Sequence, residues 1–281
     1  MTDADRNLVD ERYYGAAVIP QAEVAMIDAG LRAYMLHIYS YMMLGLAVTA
    51  LAALGCYWAA VTDSLANAAY VIRGARVIAA VPGMTLQGRD ILLTSVGYTL
   101  FVSPLKWAII FAPVILVFAL SFGSGRMRPA TAQWLFWIYS VLIGLSLGSA
   151  FLIFTHTSIV RVFFITAAAF GALSLWAYTT RRDLTGMGAF LVMGLVGVLI
   201  GGAVDLFLQS SALQWLVSVI GVLLFAGFTA WNTQRLKNEY LYRAADGDVL
   251  ERSAILGALS LYLNFVNMFL YLLQLLGQRE Q

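Results

Sequence analysis

The sequence predicts an all-α integral membrane protein of seven transmembrane helices, six of them surrounding a central seventh. Three observations predict it. Of the 281 residues, 61% are hydrophobic and only 11% charged, where a soluble domain carries roughly a quarter charged residues. Apolar runs close to the ~20 residues that cross a bilayer recur along the chain. The last of these runs carries a polar seam. Ser253, Gly257, Ser260, Asn264, Asn267, Tyr271, Gln274 and Gln278 alternate in steps of four and three, so on a helix they form one stripe. The opposite side holds Ile255, Leu256, Leu259, Val266, Leu270 and Leu273. Polar side chains in hydrocarbon are costly unless they face other helices or water. A helix seamed along its whole length therefore belongs in the middle of the bundle.

The elements follow in order. The opening residues are polar and include Asp3, Asp5, Asp10, Glu11, Glu23 and Asp28, which is unlike a cleavable signal peptide. Residues 1–33 are expected to form a cytoplasmic segment and 34–281 the membrane domain, with the first span as anchor. Spans are expected at 36–60, 104–123, 131–154, 157–179, 187–208, 213–233 and 252–276. Between the first two, residues 61–103 hold apolar runs broken by Arg73, Arg76, Pro82-Gly83 and Arg89-Asp90. No uninterrupted piece there is long enough to cross, so the segment reads as an external, interfacial or partly helical excursion. Pro113 predicts a kink in the second span. Gly144-x-x-x-Gly148 and Gly197-x-x-x-Gly201 are small-residue pairs that let backbones approach. The seven tryptophans fall near span ends, where an amphipathic ring prefers the headgroup region. No internal repeat is evident, which disfavours an inverted-repeat transporter.

Charge placement gives the orientation. One side collects Arg6, Arg12, Arg32, Arg126, Arg128, Arg181, Arg182, Arg235, Lys237, Arg243 and Arg252. The other has Arg73, Arg76 and Arg89 in the excursion and Arg279 in the tail, with none in the loops around 155–157 and 209–212. The positive-inside rule then places the amino terminus in the cytoplasm and the carboxyl terminus outside. A net charge of +2 is too small to suggest nucleic acid. Cys56 is the sole cysteine, so no disulfide framework or thiolate zinc site can form.

Signatures of an enzyme are absent, and no cofactor or metal is expected. His37 and His156 fall on opposite sides of the membrane and cannot share a site. There is no phosphate-cradling glycine loop and no nucleophile elbow. Asp205 is the one acid well inside a span, and the topology sets Arg161 and Lys106 near the same outer depth. This charged cluster reads either as an external site that attracts cations or as a structural ion pair with snorkelling neighbours, and the second reading is favoured. Asn232 closes the sixth span, and Asn264 lies on the stripe about three turns in from the same side. Taken alone, both are amide glue between helices.

At these residues the chain resembles the Bax inhibitor-1 family (transmembrane Bax inhibitor motif proteins), in its bacterial form. The matching segments are Leu31-Arg32-Ala33-Tyr34, Tyr39-x-Tyr41-Met42-x-Leu44-Gly45-Leu46 and Thr166-Ala167-Ala168-Ala169-Phe170-Gly171. Asp183-Leu184-x-Gly186-Met187-Gly188, Thr233-Gln234-Arg235-Leu236-Lys237 and the run Gly257 to Asn267 complete it. The resemblance implies six helices around a seventh, a bacterial inner membrane, and a pH-sensitive calcium leak. It also implies, as an alternative, a non-conducting regulator that binds a membrane protease or another membrane protein. The pH sensor it implies is a pair of aspartates matching Asn232 and Asn264, with a basic partner for which Arg126 is the nearest candidate. Both sensor positions are asparagine here. An amide is nearly isosteric with a carboxylate but neither titrates nor carries charge. The resulting expectation is a cation path lined by Ser260, Asn264, Asn267 and Tyr271 with its proton gating lost. A proton-coupled transporter is the weakest reading, since Asp205 is the only acid in a span.

Overall fold

Long apolar runs fold as helices because, in hydrocarbon, only intrahelical bonds satisfy every backbone group locally. The computed structural model describes residues 21–73, 76–81, 84–85, 90–123, 127–243 and 247–279. Its helices are α1 (Gln21–Ala60), α2 (Ser95–Phe101), α3 (Leu105–Gly123), α4 (Pro129–Leu147), α5 (His156–Thr179), α6 (Met187–Leu208), α7 (Ser211–Arg243) and α8 (Gly247–Leu276). Among the described residues six helices are long and apolar enough to cross a membrane, and α2 with α3, bent by 54° between them, passes the same test as a pair, for six or seven in all. In α8, 61% of the most apolar window is buried, against 11–33% in the other five. It packs directly on α1, α4, α5 and α7, while α3 and α6 face it across a crevice. The last helix is the centre, as its polar seam predicted.

Close approaches explain the small residues unequally. A Cβ on Gly144 would lie 2.5 Å from the Thr49 carbonyl oxygen and 2.6 Å from Ala52 Cβ, and one on Gly148 would lie 2.9 Å from Cys56 Sγ. The first glycine pair thus seats α4 against α1. The second does not act as a pair: Gly201 meets Val217 at 3.0 Å, but Gly197 has open space. Gly144→Leu is therefore expected to lower stability by about 1–3 kcal/mol through overpacking. Gly197→Leu should leave it unchanged. Thermal midpoints in mild detergent read both.

The second span bends at residues 102–104, ahead of Pro104, where a residue preceding proline disfavours the helical region. The helix continues unbroken through Pro113. That proline removes the hydrogen bond to the Ile109 carbonyl, and the Ser146 hydroxyl of α4 donates to it instead at 2.9 Å. A neighbouring helix thus supplies the missing donor.

The excursion 61–103 is partly helical, as expected, and adds strands that the sequence did not announce. It holds an antiparallel sheet of order β2-β1-β3, from β1 (Tyr70–Arg73), β2 (Arg76–Ala79) and β3 (Ile91–Leu93). Tyr70 pairs with Ala79 on one side and Leu93 on the other. Among its described residues only α2 is helical, capped by the Thr94 side chain. The strands are short β-branched runs, which favour a pleated, half-buried surface. Arg73 and Asp90, which break the apolar runs, hold them together: Arg73 Nε donates to both carboxylate oxygens at 2.9 and 3.1 Å. Asp90 raises the Arg73 guanidinium further above its ordinary range. Thr62 N donates to Leu92 O and Thr94 N to Ala60 O, both at 3.0 Å, so the sheet is tied to the end of α1.

At the other end, α1 begins at Gln21 rather than in the mid-thirties. The residues from 21 to 33 continue the spanning helix, and Gly30 lets it approach the Tyr240 ring of α7. Likewise α7 extends ten residues past the expected span, to Arg243.

Candidate functional site

The site is built where α7 and α8 run side by side, and three contacts set their register. The Ser218 hydroxyl donates to Gln274 Oε1 at 2.8 Å, Gly221 lies under the Tyr271 ring, and Leu236 fills the notch at Gly257. This register puts Asn232 near the level of Ser260 and Asn264 about one turn further along. Both asparagines are buried, at 6% and 5% exposure, and both line a crevice of about 550 Å³. Its walls come from five helices: Pro113 and Val117 of α3, Ile143 of α4, Leu195 of α6, Asn232 of α7, and the seam of α8.

Ser260, Asn264, Asn267 and Tyr271 all reach this crevice, but their hydrogen bonding differs. The Ser260 hydroxyl donates to its own helix at Leu256 O, 3.0 Å away, and Asn267 Nδ2 to Leu263 O at 2.8 Å. Tyr271 stacks on Phe225 at 6.0 Å. Asn264 Nδ2 has no hydrogen-bond partner among the described residues. A buried amide without a partner costs about 1–3 kcal/mol, and native proteins usually resolve this with ordered water or a ligand. A second, separate hollow of about 270 Å³ shares Ile143, Ser146, Val266 and Leu270 with the first and reaches Gln274 further along α8. No charged side chain lines either. Among the described residues no group of three or more His, Cys, Asp or Glu could hold a metal.

The other anticipated residues are not brought together. Arg126 lies outside the described residues. Of the neighbouring described residues, Met127 accepts from Arg252 at 3.1 Å through its carbonyl. The outer cluster of Asp205, Arg161 and Lys106 is not assembled. Asp205 Oδ1 accepts from Ser210 N at 3.2 Å, bridging the turn where Gln209 adopts φ 48°. Lys106 Nζ sits 5.5 Å from the Trp107 ring, and Arg161 is exposed. Similar depth did not mean adjacency, because α5 and α6 each pack against α7.

Sequence reasoning missed what the segment from Thr233 to Lys237 does. Gln234 Oε1 accepts from Leu184 N at 2.6 Å and its Nε2 donates to Arg182 O at 2.7 Å. Lys237 Nζ donates to Tyr178 O at 3.0 Å. One amide and one ammonium thus clamp the connection between α5 and α6. The available signal was a lone glutamine closing an apolar span, which needs partners if buried. Gln234→Ala should leave two backbone groups unmet, at about 1–3 kcal/mol. Amide exchange at Leu184 is then expected to speed up roughly tenfold.

A polytopic helical membrane protein with its last helix in the middle and two amides at a hollow beside it is the class these features define. The family model described as "Inhibitor of apoptosis-promoting Bax1" matches residues 31–281, and the chain belongs to this Bax inhibitor-1 family. It is 40% identical over 253 residues to the uncharacterized protein RP147 of Rickettsia prowazekii, covering 90% of this chain and 92% of that one. It is 37% identical over 270 residues to an uncharacterized protein of Caulobacter vibrioides, covering 96% and 98%. It is also 38% identical over 254 residues to the inner membrane protein YbhL of Escherichia coli K12, covering 90% and 94%.

Proposed function

We propose that this protein is an inner-membrane cation leak pathway, permeable to calcium, that follows the hollow along α8 and has lost its proton switch. The observation that carries the reading is the unpartnered, buried Asn264 amide of a residue that lines the crevice. A buried donor without a protein partner is the kind of group that ordered water satisfies, and water is what a passing ion needs. The excess of arginine and lysine at the end bearing Gln234 supports a cytoplasmic amino terminus. The name of the YbhL relative supports the inner membrane.

The test is calcium flux into liposomes carrying the purified chain. The expected result is a slow leak of equal rate at neutral and mildly acidic pH. Flux no greater than in empty liposomes at either pH rejects conduction. The second reading, a non-conducting regulator that docks on a membrane protease, is favoured by the absence of any charged group in the crevice lining. A cation there has only amide and hydroxyl oxygens to replace its hydration.

A further inference from the structure

A different hollow lies on another side of α8. A groove of about 630 Å³ opens between α1 and α5, with Phe265 of α8 at its floor. On α1 it is lined at helical spacing from Arg32 through Tyr39 and Met42 to Leu46, and on α5 from Phe163 through Gly171 to Tyr178. The first and fourth spans run antiparallel, so Arg32 and Tyr178 share one end and Leu46 and Phe163 the other. We infer that this groove is a binding site for one anionic phospholipid, its acyl chain along the groove and its phosphate at Arg32.

Length, volume and charge favour that occupant. From Arg32 to Leu46 the groove runs about 21 Å at 1.5 Å per residue. Half of a bilayer with its headgroups is about 20–22 Å, so the groove is as long as one leaflet. A helix of 10 Å diameter over that length would fill about 1,700 Å³, far more than the groove offers, whereas a single chain is slender enough. Met35 and Met42 supply flexible, polarizable walls suited to a mobile chain. The lining is apolar except near one end. There Arg32 is exposed, and among the described residues it has no acidic partner, not even Asp28 one turn before it. Lys237 Nζ at the same end is already held by the Tyr178 carbonyl, to which it donates at 3.0 Å, which leaves Arg32 as the cation lining the groove. A basic group at the level of the headgroups beside an apolar slot fits an anionic headgroup.

The test is native mass spectrometry of the full chain in mild detergent, with phosphatidylglycerol or phosphatidylcholine of identical chains added. The chain as it stands is expected to retain phosphatidylglycerol about fivefold better, the preference one basic group near the headgroup provides. Arg32→Gln should bind both lipids alike. Gly171 has open space around it, so Gly171→Leu should plug the slot and lose both lipids while keeping its helical content and lipid-free thermal midpoint. Ala167→Leu is the second plug if Gly171→Leu does not fold. No headgroup preference in the unaltered chain, undiminished lipid in a folded plugged variant, or a second protein copy in place of lipid would each overturn the proposal.

Discussion

Replacing both amides by carboxylates, Asn232→Asp together with Asn264→Asp, is expected to give a calcium leak that rises as pH is raised from mildly acidic to neutral. The two positions line one crevice and stand about one turn apart along neighbouring helices. Two carboxylates so placed cannot both ionise cheaply, so at low pH they share a proton and titrate as a pair. As the last proton leaves, repulsion loosens α7 from α8 and the added charge attracts calcium. A unit charge about 5 Å from a divalent cation, at an effective dielectric near 20, is worth several kcal/mol before desolvation. If only about 1.4 kcal/mol survives, the rate changes tenfold. The same repulsion should make the double variant less stable as pH rises, so its thermal midpoint falls over that interval. The unaltered chain should show neither trend. A double variant with flux and midpoint both flat in pH would remove the crevice as the seat of any switch.

How much of this was legible in the sequence depends on what each feature needs. The α8 seam needed only spacing, because a helix places every third or fourth residue on one face, and the structure puts Asn264 and Asn267 where that arithmetic did. The sheet in 61–103 was not legible, because strands of three or four residues are stable only once paired, and the Arg73–Asp90 contact joins residues far apart in sequence. Depth alone suggested that Asp205 and Arg161 meet. Depth says nothing about which helices are neighbours, and the packing of α6 on α7 decided otherwise. Gln234 was visible as a residue and invisible as a clamp, since its partners are backbone groups of Arg182 and Leu184. The unpartnered Asn264 amide is also beyond sequence: a stripe shows which way a side chain points, not whether anything answers it.

The largest loss of stability is expected from Tyr262→Ala, at a residue that lies off the polar seam. Tyr262 is wholly buried and stands edge-on to Phe136 at 5.7 Å and Tyr139 at 5.8 Å. Its hydroxyl lies 2.6 Å from Thr49 Oγ1. Thr49 has one proton to give, to the carbonyl of Gly45 at 2.9 Å or Ser140 at 3.0 Å, so Tyr262 is the donor between them. One side chain thereby joins α8 to α1 and α4. Removing the ring leaves a cavity at the centre of the bundle and should cost about 3–5 kcal/mol. Tyr262→Phe keeps the ring and loses one interhelical hydrogen bond, worth about 0.6–1 kcal/mol in membrane proteins. Thr49→Val removes the bond between α1 and this hydroxyl but leaves the Ser140 hydroxyl of α4 as a side-chain partner of Tyr262, so its cost should be similar, about 0.6–1 kcal/mol. Adding Tyr262→Phe to Thr49→Val should therefore cost less than the two single losses together, since the bond they share is lost only once. Thermal midpoints of the four variants in one detergent decide it. A Tyr262→Phe loss as large as that of Tyr262→Ala would mean that the hydroxyl, and not the ring, holds the central helix in place.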